Sequence, residues 1–374
     1  MVFLTAYLSR ALAALRRALG TARLSDAHVG LTDATAPHSP ATNSAAVGAA
    51  SLAARVGAAC GACCCATTVS APTEHTAAPP DDYSDLPGMF THPDLGGVIL
   101  GWIADDTGTA TALRGVSRDC RDGVAAHPWA DRGARIGSPA RWRAAFPAAR
   151  VANVGRNKRL CDADFVHFRG IHTLIMWSCK QPAITDAAFG HLVGIHSLYM
   201  DGCSQSTITD AAFSHLAGIH TLHMNSCSQR TITDAAFGYL SGIHTLWMES
   251  CDQSTITDAA FSYLAGIKFL CVRGCTQRTI TDAAFVHLAG IHTLIMTYCN
   301  QRTITDAAFV HLAGIYRLCM SHCNQSTITD AAFSHLAGIH TLYMIGCSQR
   351  TITAATRARL AKAGIPNLVT EVTD

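Results

Sequence analysis

Isoleucine recurs at Ile184, Ile208, Ile232, Ile256, Ile280, Ile304, Ile328 and Ile352, every 24 residues, with Leu160 as a diverged first copy. A fixed period of this length means stacked supersecondary units, none of which can bury its apolar face without the next. That constraint excludes an ordinary closed core for the C-terminal two-thirds of the 374 residues. One unit reads ITDAAFSHLAGIHTLHMNSCSQRT. Thr209 or Asp210 is placed to cap a short helix with the buried stripe Ala212, Phe213 and Leu216, and Gly218 to end it in a left-handed turn. Two turns are marginal alone, so the helix must be held by packing on a strand over 221–224. There Leu222 and Met224 point inward while Thr221, His223 and Asn225 point outward.

Ile219, Leu222, Met224 and Cys227 give the frame LxxLxLxxC. That frame resembles the leucine-rich repeat, in particular its cysteine-containing subclass, whose members often follow an F-box. The resemblance implies an α/β fold: a leucine-rich-repeat solenoid of 24-residue units over 159–353, with a parallel concave sheet and short convex helices. The segment TRARLAKAGIPNL breaks the period and sets Arg357, Arg359 and Lys362 on a helix, so 354–374 is expected to be the C-terminal cap. The ladder Cys179, Cys203, Cys227, Cys251, Cys275, Cys299, Cys323 and Cys347 reads as reduced core. Two histidine columns, His167, His191, His215, His287, His311, His335 and His172, His196, His220, His244, His292, His340, are interrupted by Tyr239, Tyr263, Lys268 and Tyr316. Those replacements keep bulk or a polar tip without keeping metal ligation, which points to structural hydrogen bonding, with no metal and no cofactor.

Residues 1–83 read as a low-complexity, largely disordered leader. Its first stretch places Arg10, Arg16, Arg17 and Arg23 among Ala and Leu with no acidic residue before Asp26, the profile of an organellar transit peptide or of a surface amphipathic helix. Residues 27–80 are rich in Ala, Thr, Ser, Pro and Gly. The cluster Cys60, Cys63, Cys64 and Cys65 lacks the second ligand pair that a zinc site needs. Over 84–131 apolar residues fall at helical spacing, as Leu95, Val98, Ile99 and Trp102, then Leu113, Val116, Cys120 and Val124. A helical module this small sits near the limit of a self-sufficient core. Residues 132–158 are expected as a linker or N-terminal cap.

Leu86-Pro87, the run from Leu95 to Ile103, Leu113 to Arg118 and Pro128-Trp129 resemble the F-box. That resemblance implies docking on a Skp1-like adaptor through Leu86, Pro87, Ile99, Leu100, Val116 and Trp129. The pattern departs in two places: GMFTHP is inserted after Leu86-Pro87, and Cys120 or Arg121 stands where Trp is usual.

The ITDAAF segment barely changes between repeats, whereas two outward columns vary. One runs Ile175, Tyr199, His223, Trp247, Cys271, Ile295, Cys319, Tyr343, the other Trp177, Asp201, Asn225, Glu249, Arg273, Thr297, Ser321, Ile345. A rigid frame carrying varied side chains is what a specificity surface needs. The partner-binding face is therefore expected at Ile175, Trp177, Tyr199, Asp201, His223, Asn225, Trp247, Glu249, Arg273 and Tyr343, centred on Trp247. At ~4.8 Å per rung the stripe spans about 35 to 40 Å, enough for a protein surface.

A net charge of +2 with only 14% charged residues offers no basic field for nucleic acid, and no apolar run reaches the ~20 residues of a membrane span. Regular repeats gather no singular acid, base and nucleophile, so neither an enzyme nor a small-molecule substrate is expected. The sequence thus reads as a non-catalytic, intracellular interaction protein, cytoplasmic or nuclear, with the leader as a candidate organellar signal. Its expected role is that of a Skp1-docked adaptor in a ubiquitin ligase holding a protein target, or a plain repeat scaffold. Thermal melts of the chain should be unchanged by chelator or by reductant. A fall of several degrees with either would overturn the reduced, metal-free reading of the ladders.

Overall fold

The computed structural model describes residues 90–370 other than 93, 94 and 102, so expectations for the leader, its cysteine cluster, Leu86, Pro87 and Trp102 lie outside the described residues. The described residues divide into two compact units, the first taking those from 90 to 134 together with 141–149, the second taking 135–140 and 150–370.

The first unit is helical. Helices α1 (Leu95–Gly101), α2 (Thr107–Leu113) and α3 (Arg118–Ala126) are followed by α4 (Pro139–Ala145). Asp106 caps α2 by accepting from the Thr109 amide at 2.9 Å, and Ser117 caps α3 by accepting from Cys120 at 3.1 Å. Phe90, Leu100, Ile103, Leu113, Val124 and Trp129 form the core together with Phe146 and Ala149. A Cβ on Gly96 or Gly123 would collide with Phe90, which fixes glycine at both positions. The stretch expected as a linker thus supplies Trp142 and Phe146, four residues apart, to a core that three short helices would leave open.

The second unit is a leucine-rich-repeat solenoid. Ten three-residue strands form one sheet, parallel and in chain order. They are β1 (Val151–Asn153), β2 (Thr173–Ile175), β3 (Ser197–Tyr199), β4 (Thr221–His223), β5 (Thr245–Trp247), β6 (Phe269–Cys271), β7 (Thr293–Ile295), β8 (Arg317–Cys319), β9 (Thr341–Tyr343) and β10 (Asn367–Val369). From β2 to β9 the register steps by 24 residues, Leu174 beside Leu198 beside Leu222 and onward to Leu342. Two strands fall outside the sequence frame. β1 lies within 132–158, and β10 follows the helix Ala354–Lys362, pairing Leu368 with Leu342.

The convex segments are shorter than two α-turns. Asp210–Phe213 is one α-turn continued by the 3-10 turn Ser214–Leu216, and Asp330–Leu336 is 3-10 throughout. Gly218 takes a φ of 81°, the left-handed ending that its position requires. Three threads of hydrogen bonds join successive repeats. The Asp of each ITD accepts twice from the Thr of the next, as when Asp234 accepts from the Thr257 amide and hydroxyl, both at 2.7 Å. The same Thr257 hydroxyl accepts from Ala259 at 3.2 Å and so caps its own helix. The threonine two residues before it, Thr255, donates to Ile232 O at 2.8 Å. In the third thread each ladder thiol donates to a main-chain carbonyl one repeat back, Cys251 to Met224 O at 3.0 Å and Cys275 to Met248 O at 3.1 Å. The described cysteines are all free thiols. Burial pushes Cys203 and Cys251 up to about 12, which keeps the S–H that this thread needs.

Beside the strands His172, His196, His220 and His244 stack at 4.4, 4.6 and 4.5 Å between ring centroids, and each Nδ1 lies 3.0 to 3.2 Å from the hydroxyl of the following residue. Past Lys268 the stack resumes as His292, Tyr316 and His340. Among the described residues no group of three His, Cys, Asp or Glu is placed to hold a metal ion, and no described helix is long and apolar enough to cross a membrane.

Because one threonine hydroxyl serves both the thread and the cap, Thr257→Val should cost about 1 to 3 kcal/mol. Chemical denaturation should report that loss, whereas Ser254→Ala, on an exposed loop, should leave the midpoint within about 0.5 kcal/mol.

Candidate functional site

The inward strand positions are saturated. Leu222 and Met224 are wholly buried, as are their equivalents in nearly every repeat, and with the backbone spent on the parallel ladder only the outward columns remain free to vary. Their N-terminal half forms a row of stacked rings, Tyr199 on His223 at 4.3 Å, His223 on Trp247 at 5.2 Å, and Trp247 on Phe269 at 4.7 Å. Ring contacts leave Tyr199 and Trp247 half-buried, and Tyr343, beside Arg317, is half-buried too, not freely exposed as strand alternation alone implies. Trp177 is packed as well: Arg156 lies 4.4 Å above its ring, and a Cβ on Gly155 would strike the indole.

The second outward column is partly scaffold. Asp201 accepts from the Asn225 amide at 2.9 Å, Asn225 in turn accepts from the Glu249 amide at 2.8 Å, and Ser321 accepts from Ile345 at 3.2 Å. Burial raises the Asp201 carboxyl above its ordinary range, against the pull of that Asn225 bond. Asp201 and Asn225 therefore link neighbouring strands, a use invisible to a reading that knew only their outward direction.

Beyond Trp247 the row opens into a cavity of about 390 Å³. Trp247 and Tyr343 stand at its two ends, with Cys271, Ile295 and Cys319 of β6, β7 and β8 between them. Cys271 and Cys319 belong to the outward column yet are buried, at 1% and 8% exposure, because a small side chain sinks between large neighbours. Burial pushes the Cys271 thiol up to about 11. It also raises Cys319, against the nearby Arg317 guanidinium. Arg273 pairs with Glu249 at 3.3 Å and lies 5.5 Å from the Tyr298 ring centre. Arg317 lies 5.3 Å from the Tyr343 ring centre. Among the described residues no carboxylate stands within ion-pair distance of Arg317.

Of the expected site residues, Trp247, Glu249, Arg273 and Tyr343 line this cavity. Ile175, Trp177, Tyr199, Asp201, His223 and Asn225 lie outside it, on the N-terminal half of the face. Sequence reasoning missed Arg317, Tyr298 and His322, although the repeats carried a signal. The turn after the strands β1 to β9 reads Arg156, Ser178, Gly202, Ser226, Ser250, Gly274, then Tyr298 and His322, then Gly346. That position has positive φ in every repeat, 63° at Tyr298 and 58° at His322, a conformation in which bulky residues are strained. The two rings stack at 4.6 Å with 2° between their planes, and a Cβ on Gly346 would collide with His322. Arg317 likewise stands where five other repeats have threonine: Thr173, Thr221, Thr245, Thr293 and Thr341. Lys268, Phe269 and Val272 break the pattern one rung before β7, and Tyr316 one rung after it. The repeat is thus broken over a single stretch of the sheet, around the cavity.

In the helical unit the proposed docking residues separate by burial. Leu100 and Trp129 are interior, at 1% and 0% exposure, the Trp129 indole donating to Val124 O at 2.7 Å. They serve the core and do not present a surface to a partner as expected, because Leu100 lies on the inward stripe of α1 and Trp129, after α3, is packed into the same core. Ile99 and Val116 are half-buried against the same core, while Val98 is 55% exposed.

These features define the class, a leucine-rich-repeat solenoid with one differentiated patch on its sheet. No protein-family model and no curated protein matches the chain. Among solved structures it is similar to one in the TLR13–ssRNA13 complex (18% identity, 53% of this chain and 28% of that one, TM-score 0.42). It is also similar to one in the yeast Rad7–Elc1 complex (14%, 61% and 75%, 0.35) and one in the Drosophila Toll–Spatzle complex (11%, 61% and 38%, 0.41). The chain therefore spans well under half the length of the first and third.

If Tyr298 is display and Leu294 scaffold, they should respond differently to truncation. Tyr298→Ser, the residue of other repeats, should shift stability by no more than about 1 kcal/mol, lost stacking offsetting relieved strain. Leu294→Ala should cost about 2 to 5 kcal/mol, and urea titration of both variants decides it.

Proposed function

We propose that this chain is a non-catalytic interaction protein whose concave sheet holds a protein partner. The observation carrying this reading is the concentration of repeat-breaking residues, two of them strained, around one cavity on an otherwise uniform sheet. Strain persists where a site uses it. Trp247 is the expected anchor, since a large half-buried ring at the edge of a pocket gains area on binding at little entropic cost. The finer form of the proposal is an adaptor of a Skp1–cullin–F-box ubiquitin ligase, with the helical unit engaging Skp1. It is supported by the Leu-Pro, Ile/Leu-rich, Val-x-Arg and Trp pattern of 86–129 and by the three short helices within it, two of them capped. The contact set becomes Leu86, Pro87, Ile99 and Val116, with Val98 added for its exposure and Leu100 and Trp129 set aside. The alternative is a repeat scaffold with no link to a ubiquitin ligase.

Affinity co-purification of the full chain with mass spectrometry tests both parts. Trp247→Ala should release the partner, a loss of about 2 kcal/mol or more, while Ser262→Ala on the convex side retains it. Leu86→Ala with Pro87→Ala should release Skp1 and spare the partner. Failure of the full chain to capture Skp1 at micromolar concentration leaves the scaffold alternative, and equal retention by Trp247→Ala and Ser262→Ala removes the concave face.

A further inference from the structure

Resting on that concave-face reading, we infer that the cavity between Trp247 and Tyr343 recognises an extended acidic peptide segment, taking one carboxylate onto Arg317 and an adjacent aromatic or aliphatic side chain onto the floor of Cys271, Ile295 and Cys319.

The charge follows from the side chains present. Arg273 and Arg317 contribute two positive charges, Glu249 one negative, and the Glu249–Arg273 pair at 3.3 Å leaves the Arg317 guanidinium as the uncompensated charge. A single uncompensated guanidinium suits a monoanion. A phosphate group, approaching two negative charges at neutral pH, would call for a second free cation, and Arg273 is engaged. Arginine offers two parallel N–H donors to a planar carboxylate, so the pairing also fixes direction. The Arg317 guanidinium carbon lies 5.3 Å from the Tyr343 ring centre, a cation–π contact that restrains the side chain before a ligand arrives.

The apolar half follows from size. At β6 and β8 the column that elsewhere displays Tyr199, His223, Trp247 and Tyr343 falls to cysteine, on either side of Ile295. Two small residues flanking a medium one turn a ridge of rings into a trough, and both thiols are already sunk below the surface. Neither thiol is a nucleophile at neutral pH, since burial keeps both protonated. The trough offers shape and apolar surface without reactivity. Its open side continues into the stacked row ending at Trp247, which gives an extended peptide a track beyond the cavity.

The test uses the full chain and a phage-displayed library of random peptides, with variants that restore residues the repeat uses elsewhere. Arg317→Thr returns that position to the residue of five other repeats, so it removes the charge without disturbing the stack. Enriched peptides are expected to carry Asp or Glu next to a large apolar residue. The best of them, made synthetically, should lose affinity on the order of tenfold with Arg317→Thr, and its own Glu→Gln or Asp→Asn form should lose as much. The two losses should not add when combined. Enrichment of peptides without an acidic residue, still lost with Trp247→Ala, overturns this inference and leaves the concave-face reading standing. So does tighter binding of a phosphorylated peptide than of its Glu counterpart. No enrichment, or peptides that both Arg317→Thr and Trp247→Ala hold as tightly as the unaltered chain does, removes both.

Discussion

The structure of the repeat unit depends on one contact, the aspartate of each ITD reaching the threonine of the next. A carboxylate in the first turn of a helix is already favoured by that helix's positive end. Here it also accepts an amide and a hydroxyl from the following repeat, at 2.6 to 2.8 Å from Asp162–Thr185 through Asp330–Thr353. The receiving threonine then caps its own helix. Each convex segment of four to seven residues, too short to persist in water, is therefore started by the repeat before it. Termination follows the same logic. Asp330 meets Thr353, which caps the helix Ala354–Lys362, and the chain then returns to the sheet as β10. Those bonds from Thr353 hold the Asp330 carboxyl below its ordinary range, so this link is complete above the unfolded carboxylate range and is lost as pH falls through the lowered value.

A frame joined on its convex side, through its thiols and through its strands frees the outward face. Freedom alone produces scatter. What is observed is concentration: charge, small residues and strained aromatic turns fall within the rungs β6 to β9. Elsewhere on the face, aromatic rings stack at 4.3 to 5.2 Å and polar residues bind the next strand, so apparent display is partly scaffold. The two roles are separable by what a side chain touches. Asp201 touches the backbone of its neighbour, whereas Arg317 lies beside the Tyr343 ring and, among the described residues, has no carboxylate within ion-pair distance.

The helical unit shows the opposite economy. With so few residues nearly every apolar side chain is needed inside, and Phe90 packs so closely on two glycines that no Cβ fits. Two of the residues that the family resemblance nominates for docking are consumed by the core in this way. Completion by Phe146 and Ala149 from beyond the expected boundary has the same cause.

The sequence by itself determined the period and the inward Leu, Met and Cys positions and narrowed each helix cap to a Thr or the Asp beside it, because each depends on local spacing repeated in every unit, while the parallel sheet was implied by the family resemblance. Threonine and aspartate at fixed places in a 24-residue repeat must meet their neighbours in the same way each time. Trp247, Glu249, Arg273 and Tyr343 were legible as outward residues for that reason. Only the tertiary structure decided which outward residues are display. Burial of Cys271 and Cys319 depends on the size of side chains one and two rungs away. The engagement of Asp201 and Asn225 depends on a backbone amide in the next repeat, and the cavity on residues 96 positions apart, from Trp247 to Tyr343, brought along one sheet. Alternation along a strand fixes direction, but exposure is set by neighbours across strands, and those are fixed only when the repeats stack.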